Sequence, residues 1–445
     1  MIMSNTVKVI GAGLAGVEAA YACAERGVKV ELYEMKPTKR TPAHSSDLFG
    51  ELVCSNSLRS LQITNAAGML KDELRSLSSL VMQAADATAV PAGAALAVDR
   101  TAFSSFITEK IKNHPNITVI ENEITEIPND SICVIATGPL TSDALASSIA
   151  ELFGSKGLSF FDAAAPIVDA STIDRSIVFA QSRYDKGDAD YLNCPMDKEQ
   201  YLAFYKALIT ANEAELHDFD KASQKDLTVF EGCMPVEIMA RRGEDTLRFG
   251  PLKPVGLTDP RTGREPYACV QLRTENLEKT MFNLVGFQTH LTISEQKRVF
   301  RMIPGLENAE FLRYGVMHRN TYIDSPGRLT ATYAVKERPT LFFAGQMTGV
   351  EGYIESAASG VVAGINAAML ANGKAEAVFP ETTVIGAMAA YVSRGGSGKF
   401  QPMNANFGLV KPLEKKVKGG KSARNEALYH RGIAELKSFI QQKEL

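Results

Sequence analysis

The chain has 445 residues, of which 45% are hydrophobic and 22% charged, so it is long enough for two or three globular domains. The net charge of −3 excludes an overall basic field, and any nucleic-acid binding must come from a local patch. The six cysteines form no Cys-x-x-Cys pair, and the six histidines show no zinc-ligand spacing. We therefore expect no metal site, no disulfide framework and no signal peptide or membrane span, as is typical of a reducing, cytoplasmic compartment.

The first forty residues predict a strand, a glycine turn, a helix and a second strand. The turn reads Gly11, Ala12, Gly13, Leu14, Ala15, Gly16. Gly11 permits the tight turn, Gly13 lets backbone amides approach a pyrophosphate, and Gly16 lets the helix pack on the strand. Glu34 ends the second strand 23 residues after Gly11, where it can accept a ribose hydroxyl. This layout predicts a site for an adenine dinucleotide rather than an ordinary strand-to-helix turn.

The next elements continue an alternating α/β pattern. One helix is predicted from Leu70, Leu74, Leu77 and Val81, which recur at helical spacing. A second helix begins near residue 98 and ends near residue 114. Strands are predicted at 117–120 and 131–136.

Composition becomes polar and charged from Gln181 to about Asn276. This stretch contains a helix whose first residues, Asp197 and Gln200, form a capping box. We predict an inserted, substrate-facing domain over 181–276, within a discontinuous cofactor domain of residues 1–180 and 277–445.

The cofactor-type pattern returns near residue 341. A strand leads into Gly345, Gly349 and Gly352, and a helix of small residues follows. We expect this helix to pack closely against the sheet or the cofactor.

Two cysteines have settings that differ from those of ordinary core thiols. Cys233 directly precedes a helix predicted to begin at Pro235, and arginines follow at 241 and 242. A helix N-terminus and nearby arginines favour a reactive thiolate, although an inert buried cysteine is the alternative. Cys54 is followed by Ser-Asn-Ser, and it is either near the cofactor or a turn cysteine.

Two further features have open interpretations. The segment 394–424 contains eight Lys and Arg residues but one acid, so it is either an RNA-binding arm or a solvated face. We expect His290 to be a structural residue rather than a substrate contact.

Four longer stretches resemble the TrmFO family of folate- and FAD-dependent tRNA (uracil-5-)-methyltransferases, relatives of the GidA flavoproteins. They are Gly11–Ala20, Cys54–Ser60, Phe230–Glu237 and Gly345–Ser356. The resemblance implies an α/β, Rossmann-like FAD-binding domain of the glutathione-reductase type, discontinuous, with an inserted α+β domain. It also implies 5,10-methylenetetrahydrofolate and NAD(P)H as co-substrates, the T-loop of tRNA as partner, and no obligate protein partner. Where glutathione-reductase-type proteins have Gly-Asp, this chain has Gly345-Gln346, which leaves open the group that holds the flavin ribityl chain.

By the same resemblance, Cys233 supplies a thiolate that adds to C6 of the uracil and so activates C5. Cys54 lies near the flavin and assists either methylene transfer or removal of the C5 proton. The flavin then carries carbon as well as electrons. Three alternatives remain: methylation of a ribosomal-RNA uridine, GidA-type modification of wobble uridines, and a non-catalytic flavin-dependent RNA binder.

Overall fold

The computed structural model describes residues 6–41, 43–154, 158–163, 165–185, 189–214, 234–274, 279–315, 317–395, 400, 402–415 and 417–445. The strands are β1 (Thr6–Ile10), β2 (Lys29–Glu34), β3 (Ser57–Ser60), β4 (Ala89–Val90), β5 (Ala95–Val98), β6 (Ile117–Glu121), β7 (Ile132–Ile135), β8 (Leu158–Ala163), β9 (Ile167–Asp169), β10 (Phe179–Ala180), β11 (Tyr191–Met196), β12 (Ala268–Thr274), β13 (Met281–Leu284), β14 (Phe311–Arg313), β15 (Met317–Tyr322), β16 (Ala334–Val335) and β17 (Arg338–Phe343). The helices are α1 (Leu14–Ala24), α2 (Ala66–Ser76), α3 (Leu80–Ala87), α4 (Arg100–Lys112), α5 (Asp143–Phe153), α6 (Lys198–Ile209), α7 (Val236–Arg241), α8 (Thr246–Phe249), α9 (Ile293–Phe300), α10 (Tyr353–Ala371), α11 (Val384–Arg394) and α12 (Gly420–Lys443).

The first sheet has the order β16-β17-β7-β1-β2-β6, and every pairing except β16–β17 is parallel. Strand β7 is buried at all four positions, as expected for a strand covered by helices on both faces. From β1 the chain passes to β2 on one side, while β7 lies on the other. Ligands of such sheets bind at this reversal of strand order, beyond the carboxyl ends of the strands. The predicted α/β fold with a Rossmann-like domain is confirmed.

Helix α10 packs directly on α1 through its glycines. A Cβ atom at Gly360 would lie 2.2 Å from the Ala15 carbonyl oxygen, and one at Gly364 would lie 2.5 Å from that of Ala19. The small residues of α10 therefore allow the close packing that the sequence predicts. By length and composition α10 could cross a membrane, but 83% of its apolar window is buried inside the protein.

The predicted single helix through Leu70 and Val81 is wrong, because the chain forms α2 and α3 there. Ser78 has a φ of +59°, which interrupts the helical backbone. The Ser79 side chain then accepts a hydrogen bond from the Met82 amide and begins α3. The periodicity of the leucines continues across the break, so it did not reveal the turn.

A second, antiparallel sheet has the order β10-β11-β12-β13-β9-β14. Its core contains side chains of α6, α7, α8 and α9 and is separate from the core of the first sheet. Strands β8 and β15 pair with each other, Leu158 opposite Tyr322, where the chain leaves the first sheet and returns to it. The predicted inserted α+β domain is thus confirmed as a class of fold.

The second sheet uses strands on both sides of the 181–276 stretch. Strands β9, β10, β13 and β14 are outside it, yet they pair within this sheet. They are as apolar as the strands of the first sheet, so composition alone could not assign them. We propose Ile167–Arg313 as the inserted unit.

Candidate active site

Two glycines of the first turn are required by the chain itself. Gly11 has a φ of +94°, and a Cβ atom there would lie 2.8 Å from the Ala136 carbonyl oxygen. A Cβ atom at Gly16 would lie 1.8 Å from the Gly11 carbonyl oxygen. Any side chain at either position would separate α1 from the strands that it covers.

Gly13 differs, because a Cβ atom there would meet no protein atom within 4 Å. Its φ of −73° is also accessible to any residue. Gly13 lines a pocket at the carboxyl edge of the sheet, and the open space beside it is part of this pocket. The pocket is lined by residues of β1 and β2 and by the segments that follow β1, β2, β6 and β7, including Gly11, Ala12, Gly13, Glu34, Lys36, Glu51, Glu123, Thr137 and Ser142.

Glu34 connects the second strand to the glycine turn. Its Oε2 accepts a hydrogen bond from the Ala12 amide at 2.8 Å, and its Oε1 accepts one from the Lys36 amide at 3.1 Å. A carboxylate has about four acceptor positions, so two remain for other donors. Glu34 is 8% exposed and lines the pocket, where ribose hydroxyls could use these positions.

These residues fit the pyrophosphate and ribose of an adenine dinucleotide such as FAD. The first turn of α1 has no side-chain cap and no acidic residue, so its amides remain available to phosphates. Leu14, Ala15 and Gly16 are buried in α1 behind the turn and do not line the pocket.

The glycines of the second motif have separate surroundings. Gly345 has a φ of +86°, and a Cβ atom there would lie 3.1 Å from the Ala15 Cβ, beside the first turn of α1. Gly349 lies against the Phe400 ring, and Gly352 lies against the Glu355 carboxylate. Gly345 is therefore next to the cofactor turn, whereas the other two accommodate local packing.

The loop that contains Cys54 begins at the cofactor pocket. The Gly50 amide donates to the Ala12 carbonyl oxygen at 2.9 Å. Four residues later, the amides of Cys54 and Ser55 donate to the Tyr353 hydroxyl at 2.7 and 3.1 Å. Burial, and next the nearby Cys54, raise the pKa of Tyr353, so this hydroxyl stays neutral. Cys54 itself is partly exposed.

Three arginines from separate elements contact the same loop. Arg100, at the start of α4, donates to the carbonyl oxygens of Leu52 and Cys54. Arg313, at the end of β14, donates to the Val53 carbonyl oxygen. Burial, and next the charge of Arg100, lower the pKa of Arg313. The loop is thus fixed by cations that surround it with positive potential.

The third arginine belongs to the second sheet. Arg273 of β12 donates from Nε to Asn56 Oδ1 at 3.0 Å and from Nη2 to Ser55 Oγ at 2.6 Å. Asn56 in turn donates from Nδ2 to the Thr274 carbonyl oxygen at 2.9 Å. The Cys54 loop is therefore joined to both sheets.

Cys233 lies outside the described residues, together with the rest of 215–233. The residues on either side of this segment are held by one turn. The Ala214 amide donates to the His290 carbonyl oxygen at 2.9 Å, and the Val236 amide donates to that of Gln288 at 2.8 Å.

His290 is 6% exposed and lies between two carboxylates. Its Nε2 contacts Glu213, and its Nδ1 is 3.0 Å from Glu237 Oε1. Burial raises the pKa of Glu237, while the hydrogen bond from His290 lowers that of Glu213. These contacts match the structural role expected for His290. Among the described residues, no group of three or more His, Cys, Asp or Glu side chains could hold a metal ion.

The sequence interpretation missed Tyr353, Arg100, Arg273 and Arg313. Tyr353 lies in Gly352-Tyr-Ile-Glu-Ser356, part of the stretch that resembles the family, and this position could have identified it as a site residue. The arginines had no local signal, because each contacts a loop far away in the sequence.

Comparison with known proteins agrees with this architecture. The family model of glucose inhibited division protein A matches residues 6–375. The methylenetetrahydrofolate–tRNA-(uracil-5-)-methyltransferase TrmFO of Lacticaseibacillus paracasei is 59% identical over 434 residues, covering 98% of this chain and 97% of its own. The protein of the same name from Streptococcus pneumoniae is 58% identical over 442 residues, covering 98% of each chain.

A solved structure of Aquifex aeolicus GidA superposes with a TM-score of 0.69 at 19% identity. It covers 98% of this chain and 73% of its own, and it supports the fold alone. The 58–59% identity to the two TrmFO proteins, over 98% of this chain, decides the family. The chain belongs to the TrmFO family, within the wider group described by the glucose inhibited division protein A model.

Proposed function

We propose that this chain methylates C5 of a uridine in tRNA, using carbon from 5,10-methylenetetrahydrofolate. This is the activity that the names of its 58–59% identical relatives state for them. The finer parts of the proposal are that the uridine lies in the T-loop and that NAD(P)H reduces a bound FAD. The observation that carries it is the Cys54 loop, which runs from the glycine turn to Tyr353 and is held by three arginines.

The cofactor would be held by the first glycine turn and Glu34. Gly13 would leave space for the pyrophosphate, the uncapped N-terminus of α1 would favour its negative charge, and the Glu34 carboxylate would accept from the ribose. When bound, FAD supplies the reducing equivalents that convert a transferred methylene group to a methyl group. Gly345 adjoins this turn, and Gln346 follows it.

Two of the six cysteines, Cys233 and Cys54, would carry out the chemistry that the protein itself supplies. The Cys233 thiolate adds to C6 of the uracil, which makes C5 nucleophilic toward the folate methylene carbon. After the carbon–carbon bond forms, the C5 proton leaves to a base, for which we propose Cys54. The bond between the methylene carbon and the nitrogen that carried it then breaks, its electron pair goes to that nitrogen, and an exocyclic methylene remains at C5. Addition of a hydride equivalent to this methylene, for which the reduced cofactor would supply the electrons, re-forms the C5–C6 double bond and expels the Cys233 thiolate. Arg100 and Arg313, which contact the backbone of residues 52–54, would stabilise the anionic form of the Cys54 thiol.

The test measures transfer of labelled carbon from methylenetetrahydrofolate to unmodified tRNA in the presence of NAD(P)H. We expect label at the T-loop uridine, at least a thousand-fold less in Cys233→Ala, and a strong loss in Cys54→Ala. Cys269→Ala, which replaces a fully buried thiol of the second sheet, is the matched control.

Each alternative gives a different result. Transfer that survives in Cys233→Ala would contradict the nucleophile assignment. Label found only in ribosomal RNA would show that ribosomal RNA, not tRNA, is the substrate. Modification of a wobble uridine would indicate the GidA reaction. A protein that binds FAD and tRNA without transfer would be a non-catalytic binder.

A further inference from the structure

A concave, basic surface lies at the start of α12, apart from the cofactor pocket. We call it the basic cradle and define it by its cations, which are Lys415, Lys418, Lys421 and Arg424. Its other lining residues are apolar or glycine, so no carboxylate lines it.

The four cations are all exposed. Over the ranges that the structure describes, none of them forms a hydrogen bond or an ion pair through its side chain. Neighbouring residues of α12 do form side-chain hydrogen bonds, since Arg431 donates to the Pro412 carbonyl oxygen and Tyr429 donates to Asp72. Like charges held on one concave surface repel each other, and a bound polyanion would relieve this repulsion.

The basic cradle is attached to the part of the molecule that carries Cys54. Asn425, next to Arg424, donates from Nδ2 to the Thr64 carbonyl oxygen at 2.9 Å. Thr64 follows Cys54 by ten residues, so even an extended chain would separate them by at most about 35 Å.

A second connection runs through Glu355. Its Oε1 accepts from Arg59 at 2.8 Å and from the Ala405 amide at 3.0 Å. The segment that leads to the basic cradle therefore begins beside the strand that follows Cys54. A nucleic-acid duplex carries one charge per about 1.7 Å of its axis, so an RNA arm extending from the site would present phosphates over this whole distance.

We propose that the basic cradle binds the phosphate backbone of the RNA whose uridine reacts at the Cys54 loop. This inference rests on the proposed function, because it takes the same RNA as the ligand. An anionic membrane is disfavoured, since membrane-surface elements insert exposed apolar side chains. None of the large apolar side chains exposed in the described chain lines the basic cradle.

The experiment measures binding of an unmodified tRNA transcript to the full-length, FAD-loaded protein as a function of salt. The test variant replaces all four cradle cations with glutamine. Each phosphate contact contributes a factor of about 3.5 to the affinity lost between about 50 and about 200 mM salt. We therefore expect this loss to be roughly a hundred-fold smaller in the quadruple variant than in the unsubstituted protein.

A charge-matched control replaces four exposed lysines on other surfaces with glutamine. They are Lys110, Lys112, Lys336 and Lys437. We expect this control to keep the salt dependence of the unsubstituted protein. Equal melting temperatures and flavin absorbance in both variants would show that the fold is intact.

The outcomes separate the two proposals. Equal salt dependence in the quadruple variant and the unsubstituted protein would overturn the basic cradle as an RNA site. Loss of binding to vesicles of phosphatidylserine and phosphatidylcholine, with RNA binding unchanged, would overturn it in favour of a membrane. The proposed function fails instead if the unsubstituted protein transfers no label to tRNA, and the binding measurement is independent of that result.

Discussion

The Tyr353 hydroxyl holds two successive amides of the reactive loop. It accepts from Cys54 at 2.7 Å and from Ser55 at 3.1 Å, which occupies both lone pairs of its oxygen. Tyr353 is also the first residue of α10, the helix that packs on α1. One side chain thus sets the distance between the Cys54 backbone and the cofactor helix pair.

We expect Tyr353→Phe to weaken both folding and catalysis. Two amides lose their acceptor, so the free energy of unfolding should fall by about 1–3 kcal/mol. Methyl transfer at saturating substrates should fall at least ten-fold, because the Cys54 loop is no longer fixed. Urea unfolding and single-turnover transfer measure the two effects.

Tyr429→Phe is the matched control, since that hydroxyl donates to Asp72 on the α2–α12 contact at 2.9 Å. It should leave transfer unchanged. Unaltered transfer in Tyr353→Phe would show that the loop is held by the arginines alone.

For single residues, the sequence predicts a role when the atoms that determine this role are close to the residue in the chain. Gly16 could be assigned a role from its spacing, because the atom that it must avoid, the Gly11 carbonyl oxygen, lies in the same short motif. The partner of Tyr353 lies 299 positions away, and that of Arg313 lies 260 positions away. Such pairs arise only when the fold brings distant strands and loops together.

At the scale of helices and strands, two buried glutamates each accept hydrogen bonds from the first backbone amides of a distant helix. Glu18 accepts from the amides of Leu80 and Val81 at the start of α3. Glu73 accepts from those of Val384 and Ile385, at 2.7 and 2.8 Å, at the start of α11. Burial outweighs these hydrogen bonds and raises the pKa of Glu18 to about 7 and that of Glu73 to about 8.

These shifts predict that stability falls as the pH rises. An unfolded glutamate releases its proton near pH 4.3, whereas folded Glu73 retains its proton to about pH 8. Between these two pKa values the folded state binds more protons than the unfolded state. The stabilisation from protonated Glu73 is therefore fully present below the unfolded pKa and is lost as the pH rises through the folded pKa. We expect the free energy of unfolding to fall by a few kcal/mol, roughly, from pH 5 to pH 9.

Glu73→Gln should flatten that slope, because the amide oxygen can still accept from α11 but cannot ionise. Urea unfolding at several pH values measures it, and Glu109→Gln on an exposed face is the control. An unchanged slope in Glu73→Gln would mean that other groups govern the pH dependence.

Helix starts that are marked by neighbouring residues in the sequence were predicted correctly. The capping box of Asp197 and Gln200 is present at the start of α6. The break at Ser78 was missed because helical periodicity continues across it, although Ser79 is a local N-cap. The distant Glu18 side chain adds to this cap by accepting from the first amides of α3.

In the whole molecule, two hydrophobic cores meet across polar contacts at the Cys54 loop. Asn56 is fully buried and bonds to Val98 in the first unit and to Thr274 in the second. Composition could not locate this junction, since strands of both cores are equally apolar. The polar contacts of this junction join the two units and hold the loop between them.

Arg273 is the residue that reaches from the second sheet to this loop, and its replacement tests whether the junction positions Cys54. Arg273→Met keeps the aliphatic length but removes the bonds to Ser55 and Asn56. We expect a ten- to hundred-fold fall in the rate of transfer at saturating substrates, with the KM for tRNA little changed. Alkylation of Cys54 by iodoacetamide, followed by mass spectrometry, should become several-fold faster because the loop is released.

Arg261→Met is the matched control, because that arginine pairs with Asp259 inside the second unit at 2.8 Å. It should alter neither transfer nor alkylation. A purely structural role for Arg273 predicts lower stability of the second unit with unchanged alkylation of Cys54. Faster alkylation together with a lower transfer rate occurs only if the second sheet fixes the reactive loop of the first, and this pair of measurements therefore decides between the two roles.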